Sequence, residues 1–236
     1  MESQFARTTS LLGPEAMRAL AAAKVAVFGL GGVGGICAEA LARSGVGAID
    51  LYDHDKVSIT NINRQAAALH STLGLYKADV MAERISDINP ECDVRAFKIF
   101  YTPDTSGEAD LSRYDYVVDA IDTVAGKVEL ISQAKKAGAG IICAMGAANK
   151  TDPLAFVVTD IHKTETDPLA KAVRKEVRAR GLYDVKAVWS KEEPKTRCRP
   201  PASNAVVPAV LGLILASEVI SDLIKKNTEN KSNMIE

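Results

Sequence analysis

Short apolar runs alternate with longer segments of helical periodicity along most of the chain. In one such segment Val80, Met81, Ile85 and Ile88 fall on one helix face, and Pro90 lies just beyond its end. By the same criteria we predict strands at 24–28, 48–53, 93–99, 116–120, 141–144, 154–161 and 185–189. The predicted helices are 32–44, 75–89, 124–138, 168–181 and 205–226, followed by a frayed tail. This alternation predicts an α/β fold, with a mostly parallel sheet and helices on both faces.

The length of 236 residues fits one α/β domain with a small C-terminal extension. We divide the chain into a first unit, 1–166, and an extension, 167–236, that completes the same domain. Lys+Arg at 29 nearly balances Asp+Glu at 30, so the overall charge indicates neither a nucleic-acid nor a membrane partner. For the uncharged run 200–217 we expect a buried helix rather than a membrane span, because prolines stand within it.

The four cysteines, Cys37, Cys92, Cys143 and Cys198, are widely spaced and form no C-x-x-C pair. This pattern fits a reducing compartment and argues against a disulfide framework or a zinc site. The N-terminus is polar and carries Glu2, so we expect no secretory signal and a cytoplasmic protein.

A glycine-rich turn follows the first predicted strand. Gly29, Gly31 and Gly34 form G-x-G-x-x-G, which lets the backbone turn tightly and approach a phosphate at a helix N-terminus. Asp53 ends the next strand, where an acid accepts hydrogen bonds from ribose hydroxyls. These residues predict a Rossmann-like nucleotide site and, taken alone, favour NAD somewhat over ATP.

Polar residues beyond Asp53 change that balance. Asn61, Asn63 and Arg64 follow within a few residues, and Lys77 stands on the next predicted helix. A triphosphate leaves extra negative charge that Arg64 and Lys77 can neutralise, whereas a dinucleotide does not need these cations. Each residue alone would fit a solvated loop, but their order after the glycine turn favours ATP.

Two acids, Asp119 and Asp122, lie at the end of the strand 116–120. Open α/β sheets bind ligands at this end of their strands, and a carboxylate there can hold Mg²⁺ on the phosphates. We assign Asp122 as the metal ligand and Asp119 as a structural residue. The alternative for Asp122 is a cap on the following helix.

Together these segments resemble the ThiF/MoeB superfamily of ubiquitin-activating-type adenylating enzymes, whose pattern is G-x-G-G-x-G, D-x-D, N-x-N-R-Q, a lysine and D-A-I-D. Other segments look most like the tRNA threonylcarbamoyladenosine dehydratases within it. These segments are F-A-R-T-x-x-L-L-G at 5–13, E-A-L-A-R-S-G-V-G at 39–47, V-M-A-E-R-I-x-D-I-N-P-E-C at 80–92, D-Y-V-V-D-A-I-D-T-V at 115–124, K-T-x-x-D-P-L-A at 163–170 and W-S-K-E-E-P at 189–194. The resemblance covers nearly the whole chain.

The resemblance implies ATP-dependent adenylation of the threonylcarbamoyl carboxylate on a tRNA adenosine, followed by ring closure to a hydantoin with loss of AMP. It implies that MgATP is held by Gly29, Gly31, Gly32, Gly34, Asp53, Asp55, Asn61, Asn63, Arg64, Gln65 and Lys77, with Asp122 on Mg²⁺. Arg64, Lys77 and Asp122 would act in catalysis. So would Arg7, which matches an arginine supplied by the partner subunit and therefore implies a homodimer. A bound monovalent cation and a sulfur-relay partner stay open.

The C-terminal third is locally basic. Between Lys171 and Arg199 ten Lys and Arg residues stand against four acids, a net charge of +6, which predicts salt-sensitive RNA binding. We therefore expect the extension 167–236 to contact tRNA. We also expect it to contact the second subunit. Trp189 has two interpretations, stacking on a base or a place in the core. Cys198 stands among basic residues that would make an exposed thiol reactive, but we favour an incidental loop cysteine.

Three alternatives stay open. The first is adenylation of the C-terminus of a ubiquitin-like sulfur carrier, which the missing zinc cysteines weaken, because members that charge carrier proteins usually have paired C-x-x-C motifs. The second is an NAD(P)-dependent oxidoreductase. The third is a nucleotide-sensing tRNA-binding protein without catalytic activity.

Overall fold

A computed structural model of the chain describes residues 3–194, 198 and 200–233, with side chains up to residue 228. The strands are β1 Lys24–Phe28, β2 Ala48–Tyr52, β3 Asp93–Phe97, β4 Tyr116–Asp119, β5 Gly140–Ala144, β6 Phe156–Asp160 and β7 Lys186–Ser190. The helices are α1 Ala6–Leu12, α2 Pro14–Ala22, α3 Gly34–Arg43, α4 Lys77–Ile88, α5 Val124–Ala137, α6 Pro168–Ala179 and α7 Val206–Asn233. Short 3-10 turns lie between several of these elements.

The strands form one sheet in the order β3-β2-β1-β4-β5-β7-β6. All neighbours run parallel except β6 and β7, which pair antiparallel at one edge. The chain order reverses between β1 and β4, because β1 to β3 extend the sheet one way and β4 onward extend it the other. Such a reversal opens a crevice at the carboxyl ends of the strands.

The apolar runs of the sequence became strands because each buries both faces of a parallel sheet. β1, β2, β4, β5 and β7 are buried almost throughout, whereas the edge strands are half-exposed. Side chains on one face pack against α2, α3, α4 and α7, and those on the other face against α5 and α6. The prediction of a mostly parallel sheet with helices on both faces is thus confirmed.

The predicted elements are present, with strand ends that differ by at most two residues. Two features differ from the prediction. The short helices α1 and α2 were not predicted, and the last helix continues to Asn233 instead of ending at residue 226. α1 buries none of its residues, so it has no apolar periodicity to detect.

The segment after residue 166 belongs to the same sheet. β7 lies between β5 and β6, and α7 packs against α3, with Leu211, Leu215 and Val219 buried in the same core cluster. By length and composition the span Val206–Thr228 could cross a membrane, and 44% of its most apolar window is buried inside the protein. A buried core helix passes the same test, so the composition of α7 does not by itself indicate a membrane.

Candidate functional site

A cavity of about 330 Å³ opens at the carboxyl ends of β1 and β4, at the reversal of the strand order. Its walls are formed by Phe28, Gly29, Gly31, Gly32, Tyr52, Asp53, His54, Asp55, Asn61, Arg64, Gln65, Lys77, Ile99, Phe100, Tyr101, Ala120, Ile121 and Asp122. Most of the sequence-predicted site residues are among them, although these predicted residues come from five separate segments of the chain. Gly34, Asn63 and Arg7 are not part of this wall.

The glycine turn packs directly against the end of β4. Gly29 has a φ of +86°, and a Cβ there would lie 2.6 Å from the carbonyl oxygen of Ala120. A Cβ on Gly34 would lie 1.8 Å from the carbonyl oxygen of Gly29. Both positions therefore require glycine for packing, since a side chain would displace backbone. Gly34 thus shapes the turn without lining the cavity.

Asp53 fixes the turn from the other side. Its Oδ2 accepts a hydrogen bond from the backbone N–H of Leu30 at 2.6 Å, and its Oδ1 accepts one from the N–H of Asp55 at 2.8 Å. The residue is buried, with 8% exposure, yet it lines the cavity. One carboxylate therefore links the glycine turn to the loop after β2 and also faces the ligand space.

Two cationic side chains, those of Lys77 and Arg64, line the cavity. The Nζ of Lys77, at the start of α4, lies 2.7 Å from Oδ2 of Asp55, and its side chain is only 6% exposed. Arg64 donates to the carbonyl oxygen of Thr60 and to Oδ1 of Asn63, both at 2.9 Å. These bonds hold Arg64 on the loop, where its side chain also lines the cavity. Lys77 and Arg64 can therefore neutralise phosphate charge.

The two asparagines have different surroundings. Oδ1 of Asn61 accepts from the N–H of Ser58 and the residue lines the cavity. Nδ2 of Asn63 donates to the carbonyl oxygen of Ser203 at 3.1 Å, which ties this loop to the segment before α7. The Oε1 of Gln65, buried beside the cavity, has no hydrogen-bond partner among the described residues. A bound polar ligand would relieve that deficit.

Part of the cavity wall is apolar and aromatic, and sequence reasoning missed it. Ile99, Phe100 and Tyr101 follow β3, and Ile121 follows β4. Phe100 is 46% exposed and its ring lies 4.4 Å from that of His54. Burial raises the pKa of Tyr101 far above its usual value, so its phenol stays neutral. An aromatic base fits such a surface. The signal in the sequence was aromatic residues beyond a strand that ends at this edge.

Acidic groups could hold a divalent cation beside the phosphates. Asp122 is exposed and lines the cavity, while Asp119 is fully buried. Among the described residues, Asp53, His54 and Asp55 are the one group of three that offers ligand atoms within 4.8 Å of one another. Oxygen donors of this kind suit Mg²⁺, which usually takes one or two carboxylates plus phosphate oxygens. The carboxylates of Asp122, Asp53 and Asp55 therefore offer the oxygen donors that the ion prefers, whereas His54 offers a nitrogen.

Several other predicted features lie away from the cavity. Arg7 is exposed on α1. Trp189 is 3% exposed in the core, which favours its structural interpretation over base stacking. Cys198 is exposed, and three of the predicted basic neighbours, Lys195, Arg197 and Arg199, lie outside the described residues. The other three cysteines are buried.

Part of the basic C-terminal stretch is neutralised by acids from elsewhere in the fold. Lys186 lies 2.6 Å from Asp222 and 3.0 Å from Glu218, both on α7. Arg180 pairs with Glu129 on α5 at 3.0 Å. Three other cations form an α6 basic face, which we define as Lys171, Lys175 and Arg178. These three residues are exposed and spaced to lie on one side of the helix.

The chain is similar to known proteins over most of its length. A family model described as the ThiF family matches residues 4–236. The tRNA threonylcarbamoyladenosine dehydratase of Bacillus subtilis is 46% identical over 244 residues, covering 95% of this chain and 96% of that protein. Its namesake from Escherichia coli is 43% identical over 197 residues, covering 80% and 74%. The crystal structure of the E. coli enzyme in complex with ATP has a TM-score of 0.90 at 38% identity, over 96% of both chains.

Proposed function

The chain belongs to the ThiF family, and from that membership we propose that it is an ATP-dependent dehydratase acting on threonylcarbamoyladenosine in tRNA. The carrying observation is the cavity that joins the glycine turn, Asp53, Arg64, Lys77 and Asp122 at one sheet edge. It supports the binding of a nucleoside triphosphate. Its base would lie against Phe100 and Tyr101, its ribose on Asp53, and its phosphates toward Arg64 and Lys77. The E. coli relative whose fold this chain shares was crystallised with ATP.

The chemistry explains the need for ATP. A carboxylate is a poor electrophile, because expelling oxide from it is prohibitive. In the proposed reaction a substrate carboxylate oxygen forms a bond to the α-phosphorus of ATP, and pyrophosphate leaves. A urea nitrogen of the same substituent then attacks the acyl carbon, loses its proton, and AMP leaves with the bonding electrons. The new ring is a hydantoin, and its closure benefits from proximity because nucleophile and electrophile share one chain.

The residues have distinct tasks in this proposal. The backbone at Gly31 and Gly32 approaches the phosphates, and Arg64 and Lys77 stabilise the charge that develops as pyrophosphate leaves. To do so Lys77 must give up or share its contact with Asp55, which is 2.7 Å away here. Asp122 would hold Mg²⁺, which would supply positive charge to stabilise the phosphates.

The direct test uses tRNA that carries threonylcarbamoyladenosine. The protein is incubated with ATP and Mg²⁺, and the nucleosides are then analysed by mass spectrometry together with AMP release. We expect the modified nucleoside to lose one water for each AMP formed. Intact nucleoside in the presence of folded, ATP-binding protein would reject the proposal. Omitting ATP provides the matched control.

The two enzymatic alternatives predict other results. A carrier-protein adenylating enzyme would exchange ATP and pyrophosphate only with a ubiquitin-like carrier and not with tRNA. No cluster of cysteines offers a zinc site in the part of the chain that the structure describes. An NAD(P)-dependent oxidoreductase would bind NADH tightly without competition from ATP. A non-catalytic nucleotide sensor, the third alternative, would bind ATP but never form AMP.

We also propose a homodimer in which Arg7 reaches the cavity of the second subunit. Arg7 is exposed on α1 and lies outside the cavity wall of its own chain, as a residue acting on the other subunit would. Subunit mixing tests this arrangement. Arg7→Ala and Asp122→Asn should each be inactive alone, and mixed dimers should regain AMP formation because one cavity retains both groups. Inactive single variants that do not recover on mixing would reject the action of Arg7 on the second subunit, and full activity of Arg7→Ala alone would place Arg7 outside catalysis.

The tRNA partner is proposed to contact the α6 basic face, and the enzyme to act in the cytoplasm with its substrate. A monovalent cation and a sulfur-relay partner are not needed by this proposal. Cys198 is exposed, but the proposed chemistry uses no thiol, so Cys198→Ser should retain full dehydratase activity.

A further inference from the structure

A fully buried ion pair lies directly behind the cavity. Nζ of Lys127, in the first turns of α5, is 2.9 Å from Oδ2 of Asp119, and both side chains are completely buried. Neither of these two atoms makes a hydrogen bond of good geometry in the described chain, so charge attraction dominates the contact. Removing two charges from water is costly, and apolar residues of similar volume are often equally or more stabilising. Stability alone therefore does not explain the pair.

The Asp119 carboxylate connects three parts of the structure. It ends β4, in register with Phe28 of β1 and Cys143 of β5. While Oδ2 faces Lys127, Oδ1 accepts a hydrogen bond from the backbone N–H of Ile121 at 3.1 Å. The carboxylate thus links the start of α5 to the turn that follows β4.

That turn is part of the cavity wall. Ala120, Ile121 and Asp122 all line the cavity. The N–H of Ala120 donates to the carbonyl oxygen of Phe28 at 2.8 Å, and the close approach of Gly29 to Ala120 leaves no space between the two turns. A rotation of the peptide before Ile121 would therefore move Asp122 relative to the glycine turn.

We propose that the Asp119–Lys127 pair is a positioning device: it holds the 120–122 turn so that the Asp122 carboxylate meets the cation and phosphates of the proposed reaction. Lys127 holds the carboxylate of Asp119 in place, and that carboxylate holds the amide of Ile121. Neither residue touches the cavity. This inference rests on the proposed function for its catalytic consequence but makes a structural prediction independent of it.

The test compares two charge-free double variants with the wild-type protein. Asp119→Asn/Lys127→Met keeps an oxygen that can accept from Ile121, and Asp119→Leu/Lys127→Met has none. We expect the amide hydrogen of Ile121 to exchange about tenfold faster in the first variant and faster still in the second, as followed by NMR without ATP. With MgATP and tRNA, kcat should fall about ten- to hundredfold while KM for ATP stays within about threefold.

A matched control is the second buried ion pair, Lys150–Asp167, also 2.9 Å apart and with both side chains 2% exposed. Asp167→Asn/Lys150→Met should lower the melting temperature without changing Ile121 exchange or kcat, because this pair bonds to Gly146 and to the first turn of α6 and not to the 120–122 turn. If this control altered Ile121 exchange equally, the effect would be general loosening and the proposal would be overturned.

The outcomes separate the two proposals. Wild-type protein that forms no AMP defeats the proposed function, and Ile121 exchange together with MgATP affinity still decides the positioning role. Active wild-type protein with unchanged exchange and kcat in the folded double variants overturns the positioning role alone. If a double variant does not fold, Asp119→Asn/Lys127→Gln, which leaves no buried charge unpaired, is judged by the same measurements.

Discussion

Replacing Gly31 by alanine separates a ligand-binding role of the glycine turn from a structural one. A Cβ at Gly31 would meet only Nε2 of Gln65, at 3.9 Å, and Gly31 has no left-handed φ that alanine would disfavour. The folded protein therefore has room for the methyl group. Where the backbone conformation is compatible, Gly→Ala stabilises a protein by about 0.4–1 kcal/mol through the unfolded chain. Gly31→Ala should be as stable as the wild-type protein, or slightly more stable.

The effect on ATP should be opposite. Gly31 lines the cavity, so the methyl group would occupy space next to the backbone that the proposed phosphate needs. Losing one hydrogen bond to a charged group costs about 1.5–3 kcal/mol. Because 1.4 kcal/mol corresponds to about a tenfold change in Kd, we expect ATP to bind about ten- to hundredfold more weakly.

Calorimetric titration with MgATP and thermal unfolding measure the two effects separately. Gly107→Ala is the matched control, since a Cβ there meets nothing within 4 Å and Gly107 lies outside the cavity. Its ATP affinity should be unchanged. Gly34→Ala provides the contrast, because its Cβ would overlap backbone at 1.8 Å and should destabilise the fold. Wild-type ATP affinity in Gly31→Ala would refute phosphate binding at this turn.

Three further predictions follow from the same structure. Asp122→Asn should reduce AMP formation at least about a hundredfold with little change in melting temperature, because Asp122 is exposed; wild-type turnover would remove it from the metal site. Alanines across the α6 basic face should raise KM for tRNA and reduce the salt dependence of binding by about one unit of slope for each phosphate that is no longer neutralised, leaving ATP affinity intact; an unchanged slope would exclude this face. Burial, and then the hydrogen bond to Asp222, raise the pKa of Tyr116, so its contribution to stability is complete below about pH 10 and is lost as the pH rises further. Tyr116→Phe should therefore weaken the alkaline fall in the unfolding free energy, measured with denaturant from neutral pH to above pH 10, and an identical pH profile would contradict this assignment.

Which parts of the fold were predictable depended on how much each segment buries. β1 and β4 are continuous apolar runs because both of their faces are covered, and their bounds came almost directly from the sequence. α1 buries nothing and α2 buries only Ala16 and Leu20, so their hydrophobic pattern is too short to detect. A start signal was present, since Pro14 and Glu15 open α2.

The candidate site divides in the same way. The polar part of the cavity wall could be predicted because Asp53, Arg64 and Lys77 stand in a fixed order after a glycine turn. The chemistry of each side chain then indicates its role. The aromatic part of the wall could not be predicted, because F-K-I-F-Y at 97–101 looks like the continuation of a strand. The strand instead ends at Phe97, and Ile99, Phe100 and Tyr101 beyond it line the cavity. Only the position of β3 in the sheet determines where Phe100 lies.

The basic C-terminal segment shows what a count of charges along a sequence leaves out. The net of +6 assumes that the opposing acids lie in the same segment, yet Asp222, Glu218 and Glu129 come from α7 and α5. A lysine held 2.6 Å from a carboxylate releases few counterions from RNA, because its charge is already compensated. Among the described residues, the basic surface that remains for the proposed tRNA contact is then mainly the α6 basic face. The charge that favours tRNA over a carrier protein is therefore more local than the sequence indicated, and a substitution on β7, such as Lys186→Ala, should affect stability more than tRNA binding.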